Sequence, residues 1–418
     1  MSVKKSPLTM AGALATVALL AFTAACGTAP AATTPQSQTS ASESSGESTT
    51  SGPSSTPTPE AKPVVMSANV SDGASKVKVD TLVAVKASEG TLKGVKLTYK
   101  GTDAKGNKIS GKVGGTLNAH KTAWTAGGRL EPSSTYTLSM TGTAASDGTA
   151  TTTKSSFKTA KLSLQDQTFP TLYPLKNSKV GVGMPVVLTF DVPVKDKKSI
   201  EKNLHVTTVP KQAGSWHWIS STEVRYRPAK YWKAGTKVSV KADVNGVSAG
   251  DGVYGQNSAS TNFTVGRSMI IKISLKSDVA KVYKNGKMVR TIYVSGGKAG
   301  WQTRSGTKLI MSHEYNKKMT NEMIGAKEDY NLNVAYAMRI TNSGEFLHSA
   351  PWNAGYFGRT NASHGCTGMS TANAAWLMNH TLIGDPVVFT GSSRYMDISN
   401  GWGDWNESYK TYKKGSAL

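Results

Sequence analysis

Residues 345–368 read EFLHSAPWNAGYFGRTNASHGCTG, and the rest of the chain is organised around them. The stretch holds two of the seven histidines, His348 and His364, and one of the two cysteines, Cys366. A thiolate is a strong nucleophile, and a nearby imidazole both lowers a thiol's pKa and carries its proton. His364 stands two residues before Cys366, so on an extended segment the two side chains share a face. His348 ends a strand-like run, EFLHSA, and would face the thiol across the site. Gly365 permits a tight backbone path and frees the N–H groups of Gly365 and Cys366 for an oxyanion hole. Such donors are worth roughly 3–4 kcal/mol each in acyl-transfer sites. Two other readings stay open. His348, His364 and Cys366 also make a His₂Cys zinc set, although no fourth ligand is evident and H-x-C is not a standard finger spacing. All three are also compatible with plain packing.

Around this stretch the pattern is that of strands. MIIKISL (269–275) alternates strongly, and KVYKNGKMVRTIYVS (281–295) is a hairpin with Asn285-Gly286 at its tip, the strongest short signal for a primed turn. WQTRSGTKLIMS supplies a turn and a strand, and residues 313–330 read as a polar loop carrying Met319, Met323 and Tyr330. AYAMRIT is a further strand. After the cysteine, Ser370 is a suitable N-cap for TANAAWLMNHT, the one convincing helix, and GDPVVFTG is a final strand. Residues 267–392 therefore read as a mostly-β catalytic domain with one helix after the nucleophile. In the tail, 393–418, Trp402, Trp405, Tyr409 and Tyr412 fall at spacings that put them on one face of a helical turn, ready to pack on the body.

Residues 63–160 and 161–266 each alternate short apolar-polar runs with turn signals. SKVKVDTLVAVKAS, GVKLTYKG and STYTLSMTG fill the first, with a hairpin turn at Asp103–Asn107. PVVLTFDVPV, EVRYRPAKYW and TKVSVKADVNG fill the second. Such text fits two immunoglobulin-like β-sandwiches, and the class of the whole chain is mainly β. Neither segment gathers a catalytic cluster. Trp216, Trp218, Tyr226, Tyr231 and Trp232 read as core or interface aromatics.

Residues 1–26 look like an export signal: Lys4 and Lys5, an apolar run from Leu8 to Phe22, then small residues before Cys26. Small residues directly before a cysteine resemble a lipoprotein signal, with Cys26 as the lipidated residue. Residues 27–62 carry no aromatic side chain and read as a disordered tether. This places the chain at the outer face of the plasma membrane, held there by a lipid anchor. With Cys26 in the signal, Cys366 is the single thiol of the folded part, and a lone thiol in an exported protein points to reactivity. The formal charge of +23 draws the chain toward anionic envelope polymers, and export argues against a nucleic-acid partner.

HSAPW followed by SHGC, with His348 ahead of Cys366, resembles the signature of the YkuD-type L,D-transpeptidases. The lipoprotein-like mycobacterial members, with two immunoglobulin-like domains, are similar along nearly the whole chain, including WHW and RPAKYW in the second sandwich and GDWN in the tail. The resemblance implies acyl transfer between peptidoglycan stem peptides with no cofactor and no metal. A tetrapeptide stem is the donor, the side-chain amine of a diaminopimelate on a second stem is the acceptor, and the product is a 3→3 crosslink. Carbapenem β-lactams are the covalent inhibitors it implies. By position, Cys366 is the nucleophile, His348 the general base, and the backbone carbonyl of Ser349 orients His348. His364, Gly365 and Cys366 shape the oxyanion hole, while Tyr330, Met319, Trp352 and Ser363 line the substrate pocket or support its lid. The chain departs from the family pattern at Gly368, where Arg or Asn is usual, and in the QTRSG turn, where a proline is common. Water as acceptor would make an L,D-carboxypeptidase, and a degenerate site would leave an envelope-binding lipoprotein.

Overall fold

The computed structural model describes residues 61–325 and 331–418. The expected signal with Cys26, nearly all of the expected tether, and Tyr330 lie outside the described residues. The described chain is strand-rich, and each named sheet draws its strands from one of three consecutive segments.

In the first, Gly90–Thr102 pairs antiparallel with Lys108–Val113 and with Ser134–Ala144, which pairs in turn with Ala150–Lys158. The second sheet runs Val65–Ala68, Ala84–Ser88, Ala123–Ala126, Gly115–Leu117. The period-2 alternation of STYTLSMTGTA sends Tyr136, Leu138 and Met140 inward, onto Leu97, Trp124 and Phe157. The turn at Asp103 is held by its own carboxylate, which accepts from the N–H groups of Lys105 and Asn107 at 2.9 and 2.8 Å.

The second segment stacks the sheet Pro170–Tyr173, Val186–Phe190, Glu223–Pro228, Gly214–Trp218 against Ser178–Val180, Ala259–Val265, Lys237–Ala242, Leu204–Val209. Trp216, Trp218, Tyr226 and Trp232 are buried in its core, and Tyr231 packs against it.

The third segment holds the candidate site. Its larger sheet has the order Lys287–Tyr293, Val279–Lys284, Met269–Ser274, Pro386–Thr390, Gly306–Leu309. Asn285 and Gly286, with φ of 49° and 81°, make the primed turn. The smaller sheet runs Ser312–Thr320, Asn331–Arg339, Phe346–Ser349, Thr367–Met369. The helix Thr371–His380 begins at Ser370, whose hydroxyl accepts from the Asn373 N–H, and buries Ala374, Leu377 and Met378 in the core. The polar loop expected over 313–330 is instead, where described, the strand Ser312–Thr320 and a helical turn, Asn321–Ile324. The strand lies at the edge of its sheet, buries only Met319, and so lacks the apolar alternation of a covered strand.

The tail is not one helix. It has a 3₁₀ turn, Asp404–Asn406, and a single helical turn, Tyr409–Tyr412, because Gly401 and Gly403 interrupt the register and the aromatics answer to different partners. Trp402 stacks on Tyr173 at 5.4 Å, and the Arg227 guanidinium lies over the rings of Trp405 and Tyr412 at 4.6 and 4.3 Å. Asn406 reaches the edge strand Gly306–Leu309: its side chain accepts from the Thr307 N–H and donates to the Thr307 carbonyl, each at 2.7 Å.

Candidate active site

Phe346–Ser349 and Thr367–Met369 run parallel, with Leu347 beside Thr367, His348 beside Gly368 and Ser349 beside Met369. Strand alternation then divides the side chains. Leu347 and Met369 enter the main core, whereas Cys366 joins Phe346, Met319, Val334 and Ala337 in a small separate apolar cluster. Alternation along its strand puts His348 on the same side as Phe346, a member of the cluster that holds Cys366.

His348 is buried, and its Nδ1 lies 2.7 Å from the Ser349 carbonyl. A carbonyl only accepts, so Nδ1 carries the hydrogen and Nε2 of the neutral ring is a bare acceptor. Burial holds the imidazole below its ordinary pKa, with the Ser349 bond pulling the other way. Trp352, half exposed, stacks over the ring with centroids 6.1 Å apart. The Ser349 hydroxyl bonds Thr371 Oγ1 at 2.7 Å, which ties this strand to the start of the helix.

Cys366 is a free, buried thiol, pushed up to about 12. Burial is the main cause; the Phe346 N–H opposes it, the Glu345 charge adds to it, and Lys308 and Arg339 oppose it. Its Sγ contacts the Gly344 carbonyl at 3.5 Å. At rest the group is therefore a protonated thiol, and a base must remove its proton during reaction.

The loop before the cysteine is fixed by two hydroxyls. Ser363 Oγ accepts from the Gly365 N–H at 3.1 Å and donates to the Cys366 carbonyl at 2.5 Å. The Gly365 N–H, expected to be free for an oxyanion, is thus engaged by Ser363. Thr303 Oγ1 donates to the Gly365 carbonyl at 2.8 Å and accepts from the Gly297 N–H at 2.9 Å. Thr303 carries no motif, and its role is visible only in the fold. Gly365 has φ of 119°, a conformation that favours glycine. This breaks the extended path that would have set His364 and Cys366 on one face; His364 instead meets Trp301 edge-on, with centroids 5.3 Å apart. The zinc set is not assembled: among the described residues no three His, Cys, Asp or Glu side chains converge as metal ligands.

Gly368 also has a reason. Its N–H and carbonyl both pair with Ser295, and a Cβ there would lie 2.8 Å from the Ala350 Cβ. The Arg or Asn of the family pattern has no room unless Ala350 moves.

Comparison with known proteins gives a consistent result. A family model of the L,D-transpeptidase catalytic domain matches residues 268–389, and one of a bacterial Ig domain matches residues 74–248. L,D-transpeptidase 2 of Mycobacterium tuberculosis is 34% identical over 84% of this chain and 85% of its own length. L,D-transpeptidase 5 of the same species is 31% identical over 83% of this chain and 76% of its own. A solved LD transpeptidase in complex with imipenem is 33% identical, covers 53% of this chain and 97% of its own, and superposes with a TM-score of 0.47. The chain is mainly β, with an immunoglobulin-like region ahead of its catalytic domain, and it belongs to the L,D-transpeptidase family of enzymes.

Proposed function

We propose that this protein forms 3→3 crosslinks between peptidoglycan stem peptides through a thioester on Cys366. The observation that carries the reading is the His348–Ser349 hydrogen bond, which leaves Nε2 of a buried, neutral imidazole available on the face that bears the only described thiol. His348 Nε2 takes the Cys366 proton as Sγ attacks the carbonyl carbon of the donor stem. The bond to the terminal D-alanine breaks, and the same proton leaves on the alanine amine. The acceptor amine then attacks the thioester and gives its proton to His348, and as the C–S bond breaks His348 passes that proton to Sγ, restoring the thiol and the neutral imidazole.

Met319 supports the pocket wall beside Cys366, and Trp352 covers the outer side of His348. Ser363 holds the nucleophile's loop and yields the Gly365 N–H to the developing oxyanion when the substrate enters. The export signal and Cys26 fit an enzyme held by a lipid at the outer face of the membrane. Loss of fatty-acid labelling in Cys26→Ser tests that placement.

A purified stem tetrapeptide tests the activity. A crosslinked dimer with release of D-alanine is the expected product. Tripeptide alone would make water the acceptor, and no turnover would sink the enzymatic reading. Intact-mass measurement after a carbapenem should show one adduct on the wild type and none on Cys366→Ala.

A further inference from the structure

The charges nearest the thiol lie outside the Cys–His pair. The buried Glu345 carboxylate is held on both oxygens: Oε1 takes Arg304 Nη1 at 2.8 Å and the Arg304 N–H at 3.2 Å, and Oε2 takes the Lys308 ammonium. Lys308 is fully buried, with its ammonium 4.0 Å from the centroid of the Phe389 ring. Lys308 comes from the larger sheet and Glu345 from the turn entering the smaller one, so the pair joins the two sheets through the core.

Stability is a weak reason to keep such a pair. Well-packed apolar replacements of buried ion pairs are often neutral or stabilising. Position supplies a better reason. Glu345 stands between Gly344, whose carbonyl lies 3.5 Å from Cys366 Sγ, and Phe346, whose N–H faces the same sulfur. The charge of Glu345 disfavours the thiolate, and those of Lys308 and Arg339 favour it. The influence is mutual, since Cys366 acts on Lys308 in return.

We propose that Arg304, Glu345 and Lys308 form a positioning cluster for the nucleophile, in which the two ion pairs fix Glu345 between the residues that contact Cys366 Sγ and set a buried anion and a buried cation beside that sulfur. This rests on the reading of Cys366 as the nucleophile. The charged groups acting on the thiol come from three elements: Lys308 from its strand, Glu345 from the turn before Phe346, and Arg339 from the adjacent strand, its guanidinium 4.5 Å over the Phe346 ring; Arg304 acts through Glu345, and the titratable ring of His348 follows on the strand that Phe346 begins. Two cations against one carboxylate leave a net +1 beside a group that must become an anion. Lys308 itself is lowered to about 8, chiefly by burial and against the pull of Glu345. Above that pH the cluster surrenders one positive charge.

The test is alkylation of Cys366 by iodoacetamide as a function of pH in the full-length protein, read by mass spectrometry of the Cys366 peptide so that Cys26 does not interfere. Lys308→Met should slow alkylation near neutral pH by about tenfold, and Glu345→Gln should speed it by a similar factor, each being roughly one pKa unit of field at the thiol. A packing role alone would move both variants the same way. Equal slowing, or no change in either, overturns the proposal. Should Glu345→Gln fail to fold, Lys308→Met decides alone, because it keeps the Arg304–Glu345 pair: an unchanged alkylation rate at about pH 6–7, where Lys308 is charged, then overturns the proposal, and slowing there that fades above about pH 8 supports it. Imipenem acylation of the wild type is measured separately. Opposed alkylation effects without any acylation would retain the cluster and dismiss the transpeptidase reading. Acylation without opposed effects would do the reverse.

Discussion

Arg225 and Asp404 meet in a fully buried ion pair, Nη1 to Oδ2 at 3.2 Å, which joins the second sandwich to the C-terminal tail. The same Nη1 donates to the carbonyls of Gly401 and Ile398 at 2.8 and 3.2 Å, and the Tyr412 hydroxyl donates to the other oxygen of Asp404 at 3.0 Å. Arg225→Met would leave Oδ2 of Asp404 and two carbonyls without their donor. Breaking a buried pair from one side costs about 3–5 kcal/mol. Chemical denaturation should register that loss. A cost under about 1 kcal/mol, the value of an exposed pair, would mean that water reaches the junction.

The pH dependence of acylation follows from His348. Burial depresses its pKa, so the basic form persists to pH values below the ordinary histidine midpoint, about 6.5. The rate should therefore hold through neutral pH and fall only on the acid side of that value, as the ring gains a proton. His348→Gln should lower the rate by about 10²–10⁴-fold, the usual worth of a general base, and should abolish the acid limb. A limb that survives in the variant belongs to another group.

Thr303 offers a test of the loop. Thr303→Val keeps the shape but leaves the Gly365 carbonyl and the Gly297 N–H without their shared partner. Unpaired buried polar groups cost about 1–3 kcal/mol. The variant should lose melting temperature and also acylate more slowly, since the backbone at Gly365 sets where Cys366 points. Normal acylation in a destabilised variant would separate the loop's stability from the nucleophile's position.

Gly368→Asn would restore the side chain usual in the family and is expected to harm this protein. The new Cβ meets Ala350 at 2.8 Å, and overpacking of this kind costs about 1–3 kcal/mol. His348 is the strand neighbour of Gly368, so the strain should reach the base. Paired measurements of melting temperature and acylation rate check this, and Ala350→Gly in the same chain should recover part of the loss.

What could be read from the sequence divides along the range of the interaction that decides each feature. Asn285-Gly286 announces its hairpin because both positive φ values are local demands, and Ser370 announces its helix because a cap needs only the next few residues. Ser312–Thr320 was hidden because an edge strand with one wet face needs no apolar alternation. Arg225 and Arg227 lie in EVRYRP, where alternation suggests solvent, yet a tail nearly two hundred residues later covers them. Lys308, Glu345 and Thr303 were illegible for a related reason. Each is polar, each is buried, and each finds its partner only once the two sheets close. At the site, the HSAPW and SHGC motifs point to Cys366 and His348. They do not reveal that Gly365 turns His364 away toward Trp301, because that depends on one backbone angle.

The grip of Asn406 on Thr307 has a consequence for the molecule's behaviour in company. Gly306–Leu309 is the rim of the larger sheet, and a rim offers its peptide groups to any passing extended chain. The Asn406 amide presents one acceptor and one donor to the N–H and carbonyl of a single residue, and so imitates the rung that an additional strand would supply. A side chain from the tail therefore guards that rim of the sheet against pairing with another chain.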